Sequence, residues 1–114
     1  MTSIGDHAFY DCSALTAITI PDNVTTIGRF CFSGCSGLKS IIIPNSVIRI
    51  GGRTFEKCGE LKEITCLNPT PPTLDKSVFE GVSTSTCVLK VPEGSVNAYN
   101  AADPWKEFMT IAGV

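Results

Sequence analysis

Apolar positions along the chain repeat at a fixed interval of 23 residues. Ile4-Gly5 falls on Ile27-Gly28 and Ile50-Gly51, Phe9 on Phe32 and Phe55, and Leu15 on Leu38 and Leu61. Ile18 falls on Ile41 and Ile64, Ile20 on Ile43 and Cys66, and Pro21 on Pro44. Cys12, Cys35 and Cys58 occupy one position of the same frame. The unit reads I-G-x3-F-x2-C-x2-L-x2-I-x-I-P, and so many matches at one shift mark a structural repeat. Units of this length stack as coils of a solenoid, because one unit alone cannot cover its apolar side.

Each coil ends in an alternating run. From Leu15 to Ile20 the pattern places Ile18 and Ile20 inward and Thr19 outward, as in a half-buried strand. Pro21 then stops the ladder, having no N–H to donate, and Pro21-Asp22-Asn23 and Pro44-Asn45-Ser46 form turns. A second extended piece follows over Val24 to Ile27 and Val47 to Ile50, with Gly28 and Gly51 expected to bend the corner. Phe9, Phe32 and Phe55 should stack inside the coils.

Residues 1–66 hold three regular repeats, and 67–92 an altered fourth coil. There Cys87-Val88-Leu89-Lys90-Val91-Pro92 restores the strand-then-proline ending 25 residues after its counterpart. The segment Asn68-Pro69-Thr70-Pro71-Pro72-Thr73 reads as a loop that absorbs both extra residues, and Val78-Phe79 takes the stacked-phenylalanine place. Residues 93–114 leave the period. Ser95 is expected to cap a helix over Val96 to Ala102. Asp103-Pro104 supplies the cap and first position of a second helical turn, and Trp105, Phe108 and Ile111 add apolar bulk. The expectation is a single domain over 1–114, a β-rich solenoid closed by a short helical C-terminal cap. Met1 aligns with Val24 and Val47, in mid-coil, so the opening coil is expected to lack a lid.

The repeat resembles the BspA-like (Treponema pallidum type) leucine-rich repeat. The run from Cys87 to Tyr99, followed by Trp105-Lys106-Glu107-Phe108, resembles the closing segment of such proteins from Bacteroides relatives. The resemblance implies a leucine-rich-repeat solenoid with right-handed stacking, secreted or displayed on the bacterial cell surface, and adhesion or protein binding rather than catalysis. It brings no fixed functional residues. Against it, the chain is expected to lack the N-terminal coils and a signal peptide, and to be the C-terminal part of a longer protein.

Composition narrows the function further. Net charge is −2 with 18% charged residues, which gives no basic footprint for nucleic acid or anionic lipid. The longest apolar run, Ile41-Ile42-Ile43, is closed by Pro44 and is far too short for a membrane span. The six cysteines admit three readings. The favoured one is a column of reduced, buried thiols at Cys12, Cys35 and Cys58. The second is a disulfide, with Cys66 and Cys87 as its pair. The third is a zinc site using Cys31-x3-Cys35, although Cys31 matches Ala8 and Thr54 and zinc needs four converging ligands. His7 matches Phe30 and Arg53, so it reads as a solvent-facing position rather than a base for Cys12. Trp105 reads as a cap anchor. No catalytic, cofactor-binding or metal-ligating residue is assigned.

A partner would meet the outward strand positions. These form two rows across the coils, Ala17, Ser40, Glu63, Val88 and Thr19, Ile42, Thr65, Lys90, with Lys39 and Lys62 continuing the edge beside Thr16. The expected partner is a protein, such as a host surface or matrix protein. The alternative is a structural stalk or closing segment whose parent binds elsewhere. An open N-terminal coil also predicts end-to-end self-association.

Overall fold

The computed structural model describes residues 3–75 and 77–114. The alignment of Met1 with Val24 and Val47 lies outside the described residues. The short strands come in chain order as β1 (Ser3–Ile4), β2 (Ala17–Thr19), β3 (Thr26–Ile27), β4 (Ser40–Ile43) and β5 (Arg49–Ile50). They continue as β6 (Glu63–Cys66), β7 (Thr73–Leu74), β8 (Val88–Val91) and, after a helix α1 (Val96–Ala101), β9 (Thr110–Gly113).

The strands sort into two all-parallel sheets, ordered β1-β3-β5-β7 and β2-β4-β6-β8-β9. The repeat explains the register directly. Ile18, Ile41 and Ile64 face one another across neighbouring strands, and Leu89 continues the line. A parallel pair needs a long return path, and here each return is one circuit of the coil.

The interior is built from columns of equivalent residues. Phe9, Phe32, Phe55 and Phe79 stack in order, with centroids 5.3, 6.1 and 6.0 Å apart and rings within 9° of parallel. Val78 and Phe79 therefore hold the places expected of them. The side chains of Phe32, Phe55, Leu38, Leu61, Ile41 and Ile64 are fully enclosed. Their first-coil counterparts Phe9, Leu15 and Ile18 are only half-buried.

The third side of each coil carries turns instead of a strand, yet it too is laddered. His7, Phe9 and Asp11 donate their amides to Arg29, Cys31 and Ser33 of the next coil, at 2.8–2.9 Å. Phe30, Phe32 and Gly34 do the same to Gly52, Thr54 and Glu56. The intervening amides of Ala8, Tyr10 and Cys12 bond back within their own coil. The backbone reaches this alternation through left-handed residues four apart. One column is His7, Phe30, Arg53 and Ser77; the other is Asp11, Gly34, Lys57 and Gly81. His7 is exposed as expected, but its position requires positive φ whatever the side chain.

Three sequence expectations change. Gly28 and Gly51 are not bends: neither has positive φ, and their role is close approach between coils. A Cβ on Gly28 would lie 2.5 Å from the Asp6 amide nitrogen, and one on Gly51 2.6 Å from that of Arg29. The proline loop absorbs one extra residue only, since Arg49 already pairs with Thr73 and Phe55 stacks on Phe79. The second is taken up before β8, where Thr86 and Cys87 both bond back to Ser83 in a widened turn.

The third change concerns the cap, which is not purely helical. Ser95 precedes α1, but its hydroxyl makes no capping bond. It already closes a 3₁₀ turn over Glu93–Ser95, so it lacks the extended backbone an N-cap needs. The helix ends at Ala101, and Pro104 rather than Asp103 holds the cap position of the second turn, Trp105–Glu107. The chain then returns as β9 and pairs in parallel with all of β8. Trp105 and Phe108 meet Phe79 edge-on, at 64° and 85°, and so end the column of parallel rings.

Candidate functional site

The five-stranded sheet turns one face to the core and the other to solvent. Alternation along each strand decides which residues are presented, and parallel register sets them in rows. Ala17, Ser40, Glu63 and Val88 are cross-strand partners in order, and so are Thr19, Ile42, Thr65 and Lys90. All eight predicted positions thus share one face. Ala17, Thr19 and Ile42 are exposed, while Ser40, Glu63, Thr65, Val88 and Lys90 are half-buried. Ile42 is 39% exposed, whereas its neighbours Ile41 and Ile43 are sealed in the core. It stands between Thr19 and Thr65, small enough to leave its side chain open to contact.

Charge on this face is partly internal. Lys90 Nζ lies 3.1 Å from Glu63 Oε2, a diagonal pair across β6 and β8. Lys39 and Lys62, at the starts of β4 and β6, are exposed and adjacent, because the Lys62 amide bonds to the Lys39 carbonyl. The sequence reading missed the outer edge of the surface. β9 adds Thr110 beside Val88 and Ala112 beside Lys90, lengthening both rows by one residue. The repeat search cannot see β9, since Val88 pairs with a residue 22 positions on and no proline follows.

The cysteines are structural. Cys35 Sγ donates to the Phe9 carbonyl and Cys58 Sγ to the Phe32 carbonyl, each at 3.1 Å, so one thiol per coil ties down the preceding phenylalanine. Burial pushes the thiols of Cys31 and Cys58 up to about 12 and that of Cys87 up to about 11, and it raises Cys35 and Cys66 as well. All five are held as neutral thiols at physiological pH. Cys66 and Cys87 do not form the disulfide considered for them. Parallel register sets Cys66 at the end of β6 and Cys87 before the start of β8, roughly 13 Å apart along the sheet. Cys31 sits in the buried column that holds Thr54 and Val78. Among the described residues, no three His, Cys, Asp or Glu side chains are grouped to hold a metal ion. The His7 ring lies flat on Phe30, with centroids 5.0 Å apart, and tilts against Tyr10.

A groove beside the smaller sheet is a competing surface. It is lined by Arg29, Arg49, Asp6 and Asp75, with Arg29–Asp6 at 3.7 Å and Arg49–Asp75 at 3.0 Å. Its charges are matched within the molecule and well hydrated, which leaves little to offer a partner.

Among the described residues, no helix is long and apolar enough to cross a membrane. Among curated proteins, none matches the chain in sequence. Its fold is similar to that in the crystal structure of a T. pallidum leucine-rich-repeat protein (TpLRR). The TM-score is 0.65 and the identity 17%, over 100% of this chain and 64% of that one. The chain therefore spans a little under two thirds of that protein's length. Residues 1–100 match the family model described as a BspA type leucine-rich repeat region of 6 copies. The chain thus belongs to the BspA-type leucine-rich-repeat family.

Proposed function

We propose that the chain is a non-catalytic protein-binding module, working in adhesion for a bacterial surface or secreted protein. The outer face of the large sheet is its contact surface. The observation that carries this reading is the exposed Ile42 at the centre of two in-register rows of small and polar residues. Such a face is broad and holds its side chains in fixed positions. A protein partner can therefore cover it without the sheet reordering. A host surface or matrix protein is the partner class this display suits.

The test is binding of the chain and of Ile42→Lys to a panel of immobilised host matrix proteins. The expected result is capture by at least one of them, weakened about tenfold or more by the lysine, which sets a charge at the centre of the contact. Unchanged binding would remove this sheet as the interface.

A second reading follows from the cap. Tyr99, Trp105 and Phe108 are buried and, with β9, close one end of the stack. On that reading the chain is a structural stalk or closing segment, and its parent protein binds elsewhere. Full binding by the longer parent after Ile42→Lys would favour it.

A further inference from the structure

We infer that the partner of this face is an acidic polypeptide segment, its carboxylates seated on Lys39 and Lys62 and an apolar side chain on Ile42. The inference rests on the outer sheet being the contact surface, and it adds the chemistry of what binds there.

The starting observation is a charge pair that the fold does not need. Lys39 and Lys62 occupy one repeat position on neighbouring strands, about 4.8 Å apart along the backbone. Like charges set side by side across strands are destabilising. Among the described residues, five other cations are compensated, Arg29 with Asp6, Arg49 with Asp75, Arg53 with Glu56, Lys90 with Glu63 and Lys106 with Asp103, while Lys57 stands alone on the turn side of the coil, away from any second lysine of its column. Neither Lys39 nor Lys62 has an ion-pair partner among the described residues. The column does not demand lysine, since its other members are Thr16 and Cys87. Two adjacent ammonium groups are thus left exposed at the start of the strands.

The second observation is what lies along the strand from them. Ile42 is three residues beyond Lys39, roughly 10 Å at the rise of an extended strand. Leu67, also 39% exposed, follows directly on β6. Exposed lysines thus stand just before the strands, where alternation has not yet begun, and exposed apolar side chains stand towards the strand ends. A polyanion such as a sulfated glycan would use the lysines and leave Ile42 and Leu67 uncovered. A peptide carrying acidic and apolar side chains at this spacing covers both.

The experiment pans a random-peptide phage library on the full chain, then measures the leading peptide by fluorescence anisotropy. The expected peptides carry Asp or Glu together with a large apolar residue. Binding should weaken about tenfold in Lys39→Glu/Lys62→Glu and separately in Ile42→Asp. It should hold in Arg49→Glu, which alters the opposite sheet. Lys39, Lys62 and Ile42 are exposed, and circular dichroism of each variant confirms folding. Loss in Ile42→Asp with none in Lys39→Glu/Lys62→Glu would overturn the acidic partner and leave the outer face standing. Loss in neither would overturn both. Enrichment of no acidic peptide would also overturn the proposal, as would heparin competing as well as the peptide with Ile42→Asp no weaker.

Discussion

The phenolic hydroxyl of Tyr99 donates to the carbonyl oxygen of Asn68 at 2.6 Å, across 31 positions of sequence, and lies 3.2 Å from the sulfur of Cys66. Trp105 makes a matching bond from Nε1 to the Pro72 carbonyl at 3.0 Å. The cap thus grips both ends of the proline loop that interrupts the repeat. Tyr99→Phe keeps the ring but leaves the Asn68 carbonyl without that donor. The expected cost is about 1–3 kcal/mol, read as a lower midpoint in urea unfolding.

Gly34 and Lys57 occupy the same left-handed column, and they should respond oppositely to substitution. φ at Gly34 is +79°, and a Cβ there would also run into the Asp11 side chain. Gly34→Ala should therefore destabilise by more than about 1 kcal/mol. Lys57 holds φ of 63° with a side chain, so Lys57→Gly should relieve strain and stabilise by up to about 1 kcal/mol. Thermal unfolding of the two variants tests the pair.

The buried thiols set an alkaline limit. In the unfolded chain cysteines ionise near the ordinary value, about 8.5. In the folded chain Cys31 and Cys58 are pushed up to about 12, chiefly by burial. A raised folded value means that the stabilisation is complete below the unfolded pKa and lost as pH climbs towards the folded one. Stability from these groups should stay flat between pH 6 and 8 and fall from about pH 9 upward. Urea titrations across that range should show the fall, and Cys31→Ala/Cys58→Ala should blunt it. A thiol reagent at pH 8 should label half-exposed Cys12 well before the other five.

β9 covers the edge of β8, and Ile111 is its inward, half-buried residue beside Leu89. Ile111→Asp should free that edge. An unpaired strand edge is a template for another chain, so the variant should associate with rising concentration more than the parent does. Sedimentation velocity reads the difference.

The repeat was legible because stacking makes every interior position answer to the one above it. Ile41 is isoleucine for the same reason as Ile18 and Ile64. The three-row frame therefore carried strand register, the phenylalanine column and the outer rows. Features without a periodic counterpart were harder to read. The bond from Tyr99 to Asn68 joins a cap residue to a loop residue, and neither pattern nor spacing announces it. β9 is four residues with one apolar inward side chain, too little for alternation to register. Gly28 looked like a bend because glycine usually marks one, while the cause here is the backbone of the neighbouring coil, which appears only after stacking.

The amide ladder on the third side gives the stack a sense of travel. Each of its inter-coil bonds runs from an earlier N–H to a later carbonyl. By the repeat, the carbonyls of Asp6, Ala8 and Tyr10 point out of the N-terminal face, just as those of Arg29, Cys31 and Ser33 point back at the coil before them. Two copies set head to head would oppose oxygen to oxygen along this side. That repulsion works against the end-to-end pairing expected from the edges of β1 and β2. A coil laid on in the same sense would instead bring donors to all three oxygens. The face is complementary to its own repeat and not to its own image, so the solenoid has a built-in polarity of assembly.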